Sequence, residues 1–168
     1  MATRRFSLFN GSLLQDTSGS VFLDSINSLN ANDRYPSLAW AFADTSTRIL
    51  LRGSTRVPGD YVSAPRVGIV WATAATSGNA RWEFDYTSIA DGETADPNAD
   101  QETVASTVAC AGTARLLKFS LISLTAANLA PEDIMEWALA RDGAEAGPLD
   151  TIAATCWVVQ AFLEYSDT

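Results

Sequence analysis

The chain has no histidine, one lysine (Lys118) and two cysteines in 168 residues. Without histidine there is no Ser-His-Asp or Cys-His nucleophile, no imidazole metal ligand and no ordinary general base near neutral pH. Cys110 and Cys156 are too few for a disulfide framework. Each sits in an apolar stretch, which suits a small buried thiol, and a bridge between them requires neighbouring strands. Positive charge is scarce: 11 Lys and Arg stand against 20 Asp and Glu, a net charge of −9. Duplex nucleic acid and anionic membrane surfaces select the opposite sign, so neither is an expected partner. No apolar run approaches the roughly 18 residues of a membrane-spanning helix. Phe6-Ser7-Leu8-Phe9 is too short for an export core, so synthesis in a cytoplasm is expected. There is no glycine-rich phosphate loop, CxxC pair or zinc-ligand cluster, and no cofactor is expected.

What the chain has instead is a beat of two. Trp82, Phe84 and Tyr86 alternate with Arg81, Glu83, Asp85 and Thr87. The same alternation marks Leu38 to Phe42, Ile49 to Arg52, Leu117 to Leu121, and Trp157 to Tyr165. That is the period of strands with one buried and one wet face. Turn residues separate them at Asp44-Thr45-Ser46, Val57-Pro58-Gly59-Asp60 and Ser77-Gly78-Asn79. Roughly eight to ten antiparallel strands in one domain predict an all-β sandwich of jelly-roll type over residues 21–168.

Residues 1–20 differ. Gly, Ser, Gln and Thr dominate Gly11 to Ser20, with few apolar residues to bury. Such a segment reads as a loose leader or as an extended arm that docks on a partner. Its candidate contact residues are Arg4, Arg5, Phe6, Leu8, Phe9, Leu13 and Leu14.

Ala130 to Gly143 carries helix signals: Pro131 near its start, acids in the first turn, Arg141 in the last and Gly143 after it. Read with period two, Met135, Trp137 and Leu139 share a face instead.

Several polar groups are candidates for chemistry. Asp91, Glu93, Asp96, Asp100 and Glu102 crowd one loop and carry oxygen ligands of the kind calcium takes, without the spacing of an EF-hand. Glu132, Asp133 and Asp150 are the carboxylates available for a glycosidase pair. Sugar rings stack on exposed aromatics, but Trp40, Trp82 and Trp157 each fall on the apolar parity of their strands and are expected in the core. Tyr35, Tyr61 and Tyr165, beside turns or the end of the chain, are the aromatics expected at the surface, and Lys118 is expected in solvent. Nothing here assembles a catalytic centre, and a non-enzymatic role is expected.

From Leu38 onward the order of features resembles a family of small jelly-roll proteins of tailed-bacteriophage virions. The stretches are Leu38 to Phe42, Val57-Pro58-Gly59-Asp60-Tyr61, Val67 to Trp71, Thr73 to Asn79, Arg81 to Phe84, and Ile89 to Glu93. They continue with Asn128 to Asp133, Arg141-Asp142-Gly143, Asp150-Thr151 and Phe162 to Tyr165. The resemblance implies a strand up to Arg141-Asp142, which decides the ambiguous segment. The family pattern has glycine where Glu132 stands. It also implies a structural virion component: capsid decoration, cement or head fibre, assembled as a homotrimer. Residues 1–20 would then bind the major capsid protein or neighbouring virion subunits. The alternative is a glycan-binding, receptor-binding module of a tail fibre or tip, with a surface glycan as partner.

Overall fold

The structure, a computed structural model, describes residues 2–9, 13–15, 21–26, 37–95, 101–143 and 149–167. Tyr35, Asp96 and Asp100 lie outside them. The described residues form eleven strands and one short 3-10 turn at Ala126–Asn128. The strands are β1 (Thr3–Ser7), β2 (Leu14–Gln15), β3 (Val21–Ile26), β4 (Ser37–Phe42), β5 (Arg48–Arg56) and β6 (Ser63–Thr73). They continue with β7 (Asn79–Ile89), β8 (Glu102–Ala109), β9 (Lys118–Ser123), β10 (Ile134–Asp142) and β11 (Cys156–Ser166).

Two antiparallel sheets result. One has the order β3-β4-β11-β6-β9, with β1 also on β11; the other is β2-β5-β10-β7-β8. From β4 onward the chain repeatedly crosses from one sheet to the other, so each strand has one face toward the opposite sheet and one toward solvent. That topology enforces the alternation seen in the sequence. Trp82, Phe84 and Tyr86 are fully buried, as are Ile49, Leu51, Val67, Ile69 and Trp71. Phe42 meets Trp82 edge-on at 5.3 Å, and Trp71 meets Trp82 at 5.7 Å. Trp71 Nε1 donates to Ser120 Oγ at 2.9 Å, which satisfies its buried polar atom.

Ile134–Asp142 is a strand, paired with β5 on one side and β7 on the other. Met135, Trp137 and Leu139 face the core. Two ladders of hydrogen bonds and burial of this face outweigh the local helix signals, which are worth only tenths of a kcal/mol per residue. Glu132 lies at φ +73° in the turn Ala130-Pro131-Glu132-Asp133, closed by Asp133 N donating to the Ala130 carbonyl at 3.4 Å. A turn with proline second and a left-handed third residue favours glycine there, and glycine is what the resemblance expects at this position.

At the far end of β10, Arg141 is 2% exposed. It donates to both oxygens of Asp150, at 2.8 and 2.9 Å, and to the carbonyls of Ala154 and Ile152. This pins the segment before β11 to β10.

The described part of the N-terminal segment pairs with the two sheets. β1 is a full strand antiparallel to β11, running from Thr3 opposite Ser166 to Ser7 opposite Phe162. Leu8 is 1% exposed in the core, and Phe6, Phe9 and Leu13 pack against it. Arg4 bonds Asp167 at 2.8 Å and Arg5 bonds Glu164 at 2.9 Å. Leu14 sits opposite Arg52 in the other sheet. The jelly roll therefore includes residues from before position 21. Isolated apolar residues in a polar segment do not show in sequence which core they join.

Candidate functional site

The outer face of the six-stranded sheet departs from the alternation rule. Its strand register sets side chains in rows. Phe22, Ala41, Trp157 and Ala72 form one row across β3, β4, β11 and β6. Gln160, Val70 and Phe119 form the next, then Ser7, Phe162, Gly68 and Leu121, then Arg5, Glu164, Arg66 and Ser123. Phe22 and Phe119 are 42% and 44% exposed, and Trp157 is half-buried. Three aromatic side chains from three strands thus open onto solvent on one sheet face. Adjacent strands are about 4.8 Å apart, so the sheet face from β3 to β9 spans roughly 19 Å, with Trp157 on the middle strand.

Two local causes put them there. In β11 the register with β6 shifts between Val158 and Gln160. The extra residue exchanges the faces of the two halves of the strand. Cys156 and Val158 point inward before it, and Ala161, Leu163 and Tyr165 after it. Trp157 shares odd parity with the latter three but faces out, contrary to the core position expected of it. In β9 the whole apolar parity is outward: Leu117 (just before the strand) and Phe119 are exposed, while Ser120 and Ile122 are buried. Lys118, opposite Trp71 on the inward parity, is half-buried rather than solvated.

The face is organised around a glycine. A Cβ on Gly68 would land on the ring of Phe162. The bare backbone lets that ring lie flat, 2% exposed, and stack on Phe119 at 5.7 Å with planes 17° apart. The Arg5 guanidinium covers the pair, 4.9 Å from the Phe162 centroid and 5.4 Å from that of Phe119. Glu164, with its side chain 4% exposed, accepts from Arg5 Nε at 2.9 Å and pairs with Arg66 Nη2 at 2.5 Å. On the middle strand, Trp157 Nε1 donates to Asp24 Oδ2 at 3.0 Å, which fixes the indole against β3.

The remaining candidates are not brought together. Tyr61 and Tyr165, expected at the surface, are 4% and 6% exposed and meet at 6.0 Å. Their hydroxyls reach the Ala126 carbonyl and Asp60 Oδ1, so each polar tip is satisfied from a buried position. Burial, reinforced by the Asp60 acceptor, pushes the Tyr165 hydroxyl up to about 12. Trp82 is in the core, as expected, and Trp40 packs partly buried against it. The thiols of Cys110 and Cys156 are free and belong to opposite sheets at their strand ends. Burial pushes the Cys156 thiol up to about 12.

Among the described residues no three acidic or thiol groups converge as a metal site. Glu102 turns to the hydroxyls of Tyr86 and Thr125. Glu93 instead caps the Ala90 N–H. Asp150 is bound to Arg141, and Asp133 accepts from Ser88 Oγ at 2.8 Å. Glu132 lies beyond the opposite end of β10 from Arg141, so Glu132 and Asp150 are too far apart for the two-carboxylate geometry of a glycosidase. Glu132, Asp91, Glu93, Arg56 and Ile134 do line an open cleft of about 500 Å³, in which Glu132 pairs with Arg56 at 2.7 Å.

The arrangement defines a jelly-roll β-sandwich with a solvent-facing aromatic platform. No protein-family model and no curated protein matches the sequence. Solved structures share the fold. A family 11 carbohydrate-binding module from Clostridium thermocellum, in complex with a β-1,3-1,4-mixed-linked tetrasaccharide, has a TM-score of 0.51 at 11% identity. That likeness covers 96% of this chain and 94% of the module. A native family 35 carbohydrate-binding module from the same organism scores 0.50 at 10% identity, over 99% of both chains. The K1 cleaved adhesin domain of Lys-gingipain from Porphyromonas gingivalis W83 scores 0.51 at 9% identity, again over 99% of both. At such identities the likeness is one of fold, shared with these carbohydrate-binding modules and this adhesin domain.

Proposed function

We propose that the chain is a non-catalytic glycan-binding module, with the outer face of the six-stranded sheet as its binding surface. One observation carries the reading: Phe22, Trp157 and Phe119 lie on one open face, with Trp157 held by Asp24 and Phe119 stacked on Phe162 over Gly68. A pyranose presents an apolar face of C–H groups that dispersion and the ring quadrupole attract to an aromatic plane. Gln160, Asp24, Arg5 and Arg66 supply donors and acceptors for the hydroxyl groups around it. The fold shared with carbohydrate-binding modules supports the same assignment.

The resemblance of Leu38 to Tyr165 to virion jelly rolls supports a place for this module on a phage particle, as the receptor-binding part of a tail fibre or tip. A decoration protein anchored by residues 1–20 draws on the same resemblance. That reading is the weaker because Phe6, Leu8, Phe9 and Leu13 join this chain's own core.

The test is a glycan array followed by titration of any hit against the native protein, Trp157→Ala and Phe119→Ala. Truncating a central contact of this kind costs about 2 kcal/mol of binding, roughly thirtyfold in Kd. Circular dichroism should show the variants folded. Binding unaffected by both substitutions, or no hit on a broad array, would overturn the proposal.

A further inference from the structure

The aromatic platform ends at an arginine pair whose hydrogen-bonding capacity exceeds what the protein uses. Arg5 and Arg66 flank Glu164 on neighbouring strands of one row, with side chains 58% and 43% exposed. Each guanidinium carries five N–H donors, and both converge on one carboxylate. Glu164 Oε2 accepts from Arg5 Nε, while its Oε1 stands 2.5 Å from Arg66 Nη2 as an ion pair and accepts no hydrogen bond. Arg66 Nε is buried without a hydrogen-bond partner. The cluster has a charge of +1 (two arginines, one glutamate) within a chain of net charge −9. Its cation is also positioned: the Arg5 guanidinium is held over Phe162 and Phe119 by the ring faces.

Resting on the glycan-binding reading, we propose that the ligand is an acidic glycan: a sugar ring lies on Phe119 while an anionic substituent is taken by the free donors of Arg5 and Arg66. A guanidinium fork matches a planar carboxylate with two parallel hydrogen bonds and also donates to sulfate oxygens. The chemistry therefore admits a uronic acid or a sulfated sugar. The chain's overall negative charge repels such a polymer from a distance, but screening limits that repulsion to about 8 Å at physiological salt. Recognition then falls to the local cluster.

The experiment compares neutral glycans with uronate-bearing and sulfated ones on a single array. It continues with paired titrations: a bound uronate polymer against its methyl ester, and a sulfated polymer against its desulfated form. The acidic member of a pair should bind at least tenfold more tightly. The pair that shows the preference identifies the source of the anion. Arg66→Gln should bring the acidic-to-neutral affinity ratio to about one, whatever it does to binding of the neutral form, with circular dichroism showing the variant folded. Arg5→Gln, which also loosens β1, serves as a second variant read on the same ratio. Equal binding of acidic and neutral forms, still sensitive to Phe119→Ala, overturns this inference and leaves the stacking proposal standing. A preference that survives Arg66→Gln and Arg5→Gln overturns it too. No binding to any glycan overturns both.

Discussion

Replacing Asp150 with asparagine perturbs the one deeply buried ion pair of the chain's described residues and leaves volume and shape nearly unchanged. Arg141 and Asp150 have side chains 2% and 4% exposed. Burial works against the arginine's charge, and the Asp150 hydrogen bonds outweigh it only together with the neighbouring negative charges, Asp150 and Asp44 among them. Asparagine removes the negative charge and offers one acceptor where two accept now, and its amide hydrogens would face the guanidinium. Breaking a buried pair from one side costs roughly 3–5 kcal/mol. The carbonyls of Ala154 and Ile152 continue to accept, and Asp44 Oδ1 stands 3.7 Å from Arg141 Nη2, which places the loss near the lower limit. About 3 kcal/mol is a large share of the 5–15 kcal/mol typical of a domain. It corresponds to a Tm lower by roughly 6–12 °C at this chain length. Urea unfolding followed by tryptophan fluorescence reads the change, with an m-value equal to the native one. A loss below about 1 kcal/mol would mean that the pair does not hold the segment before β11, and the argument from burial would fail.

Two further outcomes follow from local geometry. Glu132→Gly should stabilise the fold by up to about 1 kcal/mol by relieving the left-handed backbone, since the exposed pair with Arg56 that it removes is worth little; a destabilised variant in thermal melts would contradict this. For Glu102, burial raises the carboxyl pKa, but hydrogen bonds from Tyr86 and Thr125 outweigh it and hold the group below its usual 4.5. Its stabilising contribution is therefore complete above about pH 4.5 and is lost as pH falls through the lowered value. Glu102→Gln should flatten that part of the stability–pH curve, and curves of identical slope for variant and native protein would refute it.

The sandwich was legible because two sheets packed face to face impose period two on their strands wherever the register is regular, and Trp82, Phe84, Tyr86, Val67, Ile69 and Trp71 obey it. The site was not, because it is built where the rule fails. Phe119 sits on an apolar parity that looks like core, and nothing local marks the inward Ser120 as the partner of Trp71 Nε1. Trp157 is displaced by one extra residue in β11, and single sequences do not announce bulges. Gly68 within Val67-Gly68-Ile69 was the available signal, since glycine inside a strand marks a close approach by another group. Leu8 and Phe6 join the core through pairing with a strand some 160 residues away, beyond the reach of any local pattern.

The bulge in β11 also governs how this surface can change over generations. Substitutions alter one side chain at a time, whereas the phase of half a strand hangs on a single backbone position beside Val159. Losing that residue would turn the indole of Trp157 inward and expose Cys156 and Val158 in one event. The chemistry of this sheet face is thus set by the length of one strand as well as by the amino acids along it.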